Sequence, residues 1–244
     1  MVTLLILVAS FLGAVVLSMY AGVRAMAASP ELQPRPEWAS EIEAAPPRDL
    51  AAFLAANHFQ FVTAYGFHLV RLGIWTQKAG ARPVRRFCLS RTSAGDTYEF
   101  STDFSDDASL TTTRTRSAFV FPRTAGGFMQ SFPKMTIEQL WEAHVRGEQF
   151  LISQTSIPVR ECRLSFPERE RMAMSQQLAS IRSKSLWPLR GAYWYLVKRF
   201  LMHNRPIWEQ DLARPMNRFL ALIANDTHRT RRTNLLRFGH RGRG

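Results

Sequence analysis

The first 23 residues carry no charged side chain, and the first charge in the chain is Arg24. A soluble domain has little use for so long an uncharged apolar run, so this absence places the protein at a membrane. Cysteine is scarce as well. Cys88 and Cys162 are the only two, enough for one disulfide in a periplasmic domain or two free thiols in a cytosolic one. Two semi-buried structural thiols are the simpler expectation. Common catalytic signatures are missing too: there is no Gly-x-x-x-x-Gly-Lys loop, no His-Glu-x-x-His, no Gly-x-Ser-x-Gly and no Cys-x-x-Cys. The familiar nucleotide-dependent and hydrolytic chemistries lose their usual supports. No internal repeat is visible.

The run Val2 to Val23 has about the 20 residues that cross ~30 Å of hydrocarbon at ~1.5 Å per residue. Ser10, Gly13, Ser18 and Gly22 dilute it only mildly, because small residues are tolerated in spanning helices. Residues 1–24 are therefore expected to be a single transmembrane anchor. The rival is a secretory signal cut after Ala25-Met26-Ala27, leaving a secreted or periplasmic body. Met1-Val2-Thr3 lacks the positive charge of such peptides, and the apolar run exceeds their ~7 to 15 residue core. Arg24 and Arg35, on the C-terminal side of the span, favour a cytoplasmic body.

Residues 25–47 read as a tether. Pro30, Pro34, Pro36, Pro46 and Pro47 alternate with Glu31, Glu37, Glu41 and Glu43, and proline at that density removes amide donors and disfavours helix. A stiff, extended spacer holding the body off the bilayer is expected. The chain is 46% hydrophobic, which argues against disorder in the body from Arg48 onward.

The body reads as α+β. A short helix from Arg48 to about Asn57 is expected from Leu50, Phe53, Leu54 and Phe61. Tyr98, Phe100, Thr102 and Phe104 alternate with Glu99, Ser101 and Asp103, the period of a half-buried strand. Strands are also expected over Phe67 to Trp75, Val84 to Arg91, Leu110 to Thr113 and Ser117 to Phe121. Short connections make this an antiparallel meander of four or five strands. Thr124 to Lys134 is expected as a loop whose Phe128, Met129 and Phe132 either form an interaction patch or fold back over the sheet. Capping boxes at Thr136 to Gln139 and Ser165 to Glu168 open two helices, the second stopped by Pro188. Leu189 to His203, Pro206 to Ala213 and Pro215 to Ala224 complete a helical region. The domain reading is thus 48–163 for the α+β part, 164–226 for the helical part and 227–244 for a basic disordered tail.

From Arg182 onward there are fourteen Lys and Arg against Glu209, Asp211 and Asp226, or +11 of the chain's formal +13. Such a bias seeks an anionic surface. Beside a bilayer that surface is lipid, each cation near it being worth ~1 kcal/mol. Arg190, Trp194, Lys198, Arg199 and Arg205 are the candidate lipid contacts, next to a face of Leu189, Tyr193, Leu196, Val197 and Phe200. The bland alternative is a core-packing helix with a solvated basic edge. A protein partner fits the same surfaces. Nucleic acid is disfavoured, since neither zinc-ligand spacing nor an aromatic RNA-binding strand accompanies the charge.

Catalytic candidates are thin, and neither a metal nor a cofactor is expected. Asp103, Asp106 and Asp107 read as turn residues, because their spacing is not that of a calcium loop. His144 and Glu142, two apart on a helix, do not share a face. Cys88 has no adjacent base to make it a nucleophile. Two functions are compatible with these residues. One is a membrane-anchored, non-enzymatic scaffold or interaction domain at the bilayer surface. The other is a tethered enzyme with a site between the sheet and the Thr136 helix, where His68, Asp103 and His144 would converge.

Overall fold

The computed structural model describes residues 2–27, 32–44, 46, 48–67, 70–77, 83–93, 95–115, 124–155, 157, 159–160, 162–183, 185–210 and 212. Residues 1–210 make one unit and 211–244 a second; the expected helix from Pro215 and the basic tail lie outside the described residues, as do His68 and the expected strand Ser117 to Phe121.

The chain begins with helix α1, Val2–Ala27. Over Thr3–Arg24 it is long and apolar enough to cross a membrane, with a mean hydropathy of 2.4 and only 6% of that stretch buried. The fold of the body is α+β. Among the described residues seven strands form one sheet in sequence order: β1 (Gln33–Pro34), β2 (Phe59–Phe67), β3 (Val70–Gln77), β4 (Val84–Thr92), β5 (Gly95–Ser105), β6 (Ala108–Thr113) and β7 (Gly127–Ser131). This is more than the four or five expected. The missed pieces are the two edge strands, β1 and β7, and β2 next to β1.

Each missed strand has a physical reason. The supposed tether is folded onto the body between residues 33 and 44. Pro34 pairs with Tyr65 at the sheet edge, where a missing amide costs nothing. Pro36 starts a 3-10 turn, Pro36–Trp38, and α2 (Ala39–Ala44) comes next. Ile42 of α2 is fully buried, its methyl so close to Gly73 that a Cβ there would lie 2.5 Å away. Strand β2 hides behind a register shift between Phe61 and Thr63, which breaks the period-two signal. Strand β7 replaces the expected loop and runs parallel to β6. Thirteen residues separate the two strands, enough for a crossover connection. Phe128 and Phe132 are buried, so they fold back and form no interaction patch.

The helices cover the sheet. On one face lie α2, α3 (Arg48–Ala56) and α4 (Ile137–Gln154), closing over Phe53, Phe59, Trp75, Phe87, Phe100 and Leu140. Phe100 is central to this core, with ring centroids 5.3 Å from Phe87 and 5.0 Å from Trp141. Burying each such ring is worth ~1.5 to 3 kcal/mol, and each pair ~1 more. The α4 capping box forms as expected: Thr136 N donates to Gln139 Oε1 at 3.0 Å, and Gln139 N to Thr136 Oγ1 at 3.3 Å. On the opposite face, α5 (Phe166–Arg182) sets Phe166 against Tyr65 at 5.7 Å.

Helix α5 ends at Arg182, six residues before Pro188. Instead of stopping α5, Pro188 sits in the first turn of α6 (Trp187–Tyr193), where proline has no donor to lose. A π-helical turn, Trp194–Lys198, leads into α7 (Arg199–Met202). Among the described residues past Pro206, a 3-10 turn, Ile207–Glu209, stands at the start of the expected helix.

Candidate functional site

Adjacent residues of a strand face opposite ways, and β4 uses this to build two different polar clusters. Arg85 points to the α4 face and forms a bidentate pair with Glu148, Nη2 to Oε1 at 2.6 Å and Nε to Oε2 at 2.8 Å. Arg86 points to the α5 face and pairs with Asp103.

On the α4 face the strand register sets Arg85 opposite Thr102 and Thr112 opposite Gln130. His144 and Glu148, four apart on α4 and so on one helix face, complete the set. Thr102 Oγ1 donates to Glu148 Oε2 at 2.8 Å, and it also lies 2.8 Å from His144 Nε2. A hydroxyl has one proton to give, so Thr102 accepts from Nε2–H. Nδ1 of the neutral ring is then an acceptor, and Thr112 Oγ1 donates to it at 2.8 Å. Gln130 Nε2 donates to Thr112 Oγ1 at 2.8 Å and to the Ala143 carbonyl at 2.9 Å, while its Oε1 accepts from Ile207 N at 3.0 Å. A single directed chain of hydrogen bonds runs from Gln130 through Thr112, His144 and Thr102 to Glu148. Burial, reinforced by the Arg85 charge, pushes the His144 pKa down to about 3, so the ring is neutral at every physiological pH. Thr102, Thr112, Gln130 and His144 are fully buried. The chain is closed to solvent.

On the α5 face Asp103 contacts the guanidinium groups of both Arg86 and Arg169, all three being buried. Arg86 also stacks on Phe166, 5.7 Å from the ring centroid. Cys88 and Cys162 are both free thiols on this side. Burial raises the Cys88 thiol well above its usual range, with Glu99 adding to the effect, and burial raises Cys162 too. Neither is a thiolate. Burial, then the neighbouring Glu170 charge, pushes Glu99 up to about 7.

The sequence-predicted residues are distributed accordingly. Asp103 and His144 lie on opposite faces of the sheet and do not converge, which removes the expected meeting point of an enzyme site. Asp103 is an ion-pair partner, not a turn residue. Asp106 is in the turn, where its Oδ1 accepts from Arg163 N at 2.8 Å and Leu164 N at 3.1 Å. Arg190 and Arg205 are exposed and Trp194 is half-buried; the side chains of Lys198 and Arg199 lie outside the described residues. Sequence reasoning missed Glu148, Arg85, Thr102, Thr112 and Gln130. The available signal was the His144 to Glu148 spacing of four, whereas Glu142 was the carboxylate considered.

Two further features bear on chemistry. His203 Nδ1 lies 3.1 Å from Ser131 Oγ, but that hydroxyl donates to the Thr115 carbonyl at 3.0 Å. His203 therefore donates to Ser131 and does not activate it. Between α3 and α4 there is a shallow groove lined by Asp49, Ala52, Phe53, Ala56, Asn57, Glu138 and Trp141. Compared with known proteins, the chain matches no family model, no curated protein and no solved structure. Among the described residues no group of three or more His, Cys, Asp and Glu is placed to hold a metal ion. Of the groups described above, His144 is neutral and sealed, Asp103 is ion-paired and Cys88 is a buried thiol.

Proposed function

We propose that this chain is a single-pass membrane protein whose cytoplasmic body is a non-enzymatic interaction domain at the bilayer surface. The observation that carries the reading is the bare surface of α1. Leu4, Leu5, Ile6, Leu7, Phe11, Leu12 and Leu17 are all exposed, where a core helix of the same composition would be covered. Exposed leucine and phenylalanine over several turns suit lipid rather than water. Retention of the helix, against cleavage after Ala27, is supported by its far end: Met19 and Val23 are buried, and Tyr20 stacks on Trp187 at 5.8 Å. Cleavage would strip this packing away.

Arg24 after the span favours the cytoplasmic side for the body. There the exposed Arg190 and Arg205 meet the anionic leaflet, with Trp194 close by in sequence. The sealed His144 chain and the neutralised Asp103 support an interaction role over a catalytic one.

Alkaline carbonate extraction followed by intact-mass measurement tests the anchor. The chain is expected in the membrane pellet with its N-terminus retained; a soluble product beginning after Ala27 would overturn the reading. A C-terminal reporter active only outside the cytoplasm is expected to be silent, and an active one would reverse the orientation. Hydrogen exchange around Arg190 and Arg205 is expected to be slower in anionic than in zwitterionic nanodiscs. Equal rates would remove the anionic-lipid contact.

A further inference from the structure

Leu186, Leu189, Tyr193, Val197 and Leu201 are all exposed, between 44% and 70%. Leu189, Tyr193, Val197 and Leu201, each four residues from the next, lie along one side of the continuous helical segment 187–202, and Leu186 immediately precedes it. In an unbroken α-helix each four-residue step drifts by about 40°. The π turn at Trp194–Lys198 has more residues per turn and takes up that drift between Tyr193 and Leu201. Other positions of the segment are covered, with α6 packed on α1 and α5: Ala192 is buried, and Leu196 and Met202 are half-buried. Leu186, the most exposed of the five, also adopts a left-handed backbone at φ 53, a costly conformation for a leucine. The result is a stripe of large apolar side chains directed away from the protein.

The stripe adjoins the exit point of α1. Tyr20 stacks on Trp187 with an interplanar angle of 18°, and a Cβ at Gly191 would touch Met19 Sδ at 3.5 Å. Tyr20 lies one helical turn before Arg24, the first charged side chain after the apolar run, and an arginine at the end of a span reaches the headgroup level. Tyr20 and Trp187 therefore sit together at the leaflet boundary, the level that aromatic side chains favour. Because α6 is packed against α1 at that level, the stripe starts beside the leaflet boundary. Arg190, exposed beside Leu189, is long enough to reach the phosphates from there.

We infer that the segment 187–202 is an interfacial helix: its apolar stripe is submerged in the leaflet from which α1 emerges, and its packing on α1 clamps the body flat against the bilayer. The inference rests on the anchor reading and deepens it. Folding of residues 33 to 44 onto the sheet, in place of a spacer, agrees with a body held close to the membrane.

The test uses the full chain reconstituted in vesicles, in a Cys162→Ser background. A fluorophore is attached in separate variants at Leu189→Cys, Tyr193→Cys and Val197→Cys, with Leu7→Cys reporting the anchor and exposed Thr97→Cys the solvent. Shallow doxyl-labelled lipid is expected to quench the three stripe positions at least about two-fold more than Thr97, while aqueous iodide quenches them less. If Leu7 is quenched by lipid and the stripe is not, the interfacial helix is overturned and the anchor stands. Should Leu7 resist lipid quenching as well, the anchor reading falls and the inference with it. Stripe positions shielded from both quenchers would mean that protein covers them, such as a second copy, and would also overturn the inference. Using three independent positions keeps one poorly folded variant from deciding the result.

Discussion

The two faces of the central sheet bury polar groups in different ways. Under α4, each hydroxyl, amide and ring nitrogen of the Gln130 to Glu148 chain has a partner of the right sense, and the charge at its end is paired with Arg85. Under α5, one carboxylate is shared by two guanidinium groups, while Glu99 and Glu170 repel each other nearby. The first arrangement specifies a unique packing of helix on sheet, because displacing any member breaks a direction-dependent bond. The second depends on charge balance, and losing one member leaves a bare buried charge. Stability of the α4 face should therefore respond to geometry, and that of the α5 face to charge.

The largest effect is expected on the α5 face. Asp103→Ala leaves Arg86 and Arg169 buried without their shared partner and should cost ~3 to 5 kcal/mol in chemical denaturation of the full chain in micelles. A loss below ~1 kcal/mol would show that these arginines find solvent. On the α4 face, His144→Phe keeps the volume but leaves the Thr112 hydroxyl proton without its acceptor and removes the bond that Thr102 accepts, an expected loss of ~2 to 3 kcal/mol. His144→Gln, whose amide supplies both a donor and an acceptor, should recover part of it; equal losses for both variants would contradict the directed chain.

The two faces should also answer pH with opposite signs. His144 binds a proton when unfolded below ~6.5 and resists it when folded down to about 3, so stability is lost as pH falls through that window. Between pH 6.5 and 5 this amounts to ~2 kcal/mol. Glu99, raised to about 7, works the other way: the folded state takes up its proton first, and stability is gained as pH falls from ~7 towards ~4.5. Unfolding midpoints from pH 8 to 5 should therefore fall more steeply in Glu99→Gln than in the parent, and more gently in His144→Gln. Parallel curves would remove the contrast.

A smaller loss is expected at Gly147 of α4. A Cβ there would meet Gln130 Nε2 at 3.0 Å and Ile207 Cγ2 at 3.1 Å, so Gly147→Ala should cost ~1 to 2 kcal/mol by pushing α4 off β7. The smallest change is a gain. Glu99→Gln at pH 8 removes a carboxylate that is desolvated by burial and repelled by Glu170, and should stabilise by about 1 kcal/mol. Thermal midpoints check both.

Legibility in the sequence tracked the physics of each element. Strand β5 was readable because its alternation is unbroken, and α4 because Thr136 and Gln139 form their box from four consecutive residues. Strand β2 was not, since the register shift after Phe61 destroys the period, nor was β7, whose pairing with β6 depends on residues more than a dozen positions away. Residues 33 to 44 were misread for another reason. Proline density suggested an extended spacer, yet proline is acceptable at a sheet edge and at a helix start, and Trp38 and Ile42 supplied the contacts that fold the segment. Of the buried polar chain, only His144 was singled out, because a threonine or glutamine in a strand gives no sign of which neighbour will meet it.

What the sequence determined by itself was the set of properties carried by local composition: an uncharged apolar helix at the N-terminus, an α+β body, helix starts fixed by capping boxes and a basic C-terminal third. These depend on residues within a few positions of one another. Only the tertiary structure decided that Arg85 and Arg86 serve opposite faces, that Asp103 and His144 never meet, and that the 187–202 helix lies against the end of α1. Such facts depend on strand register and helix docking, in which residues 60 or 160 positions apart become neighbours, and no local pattern encodes that distance.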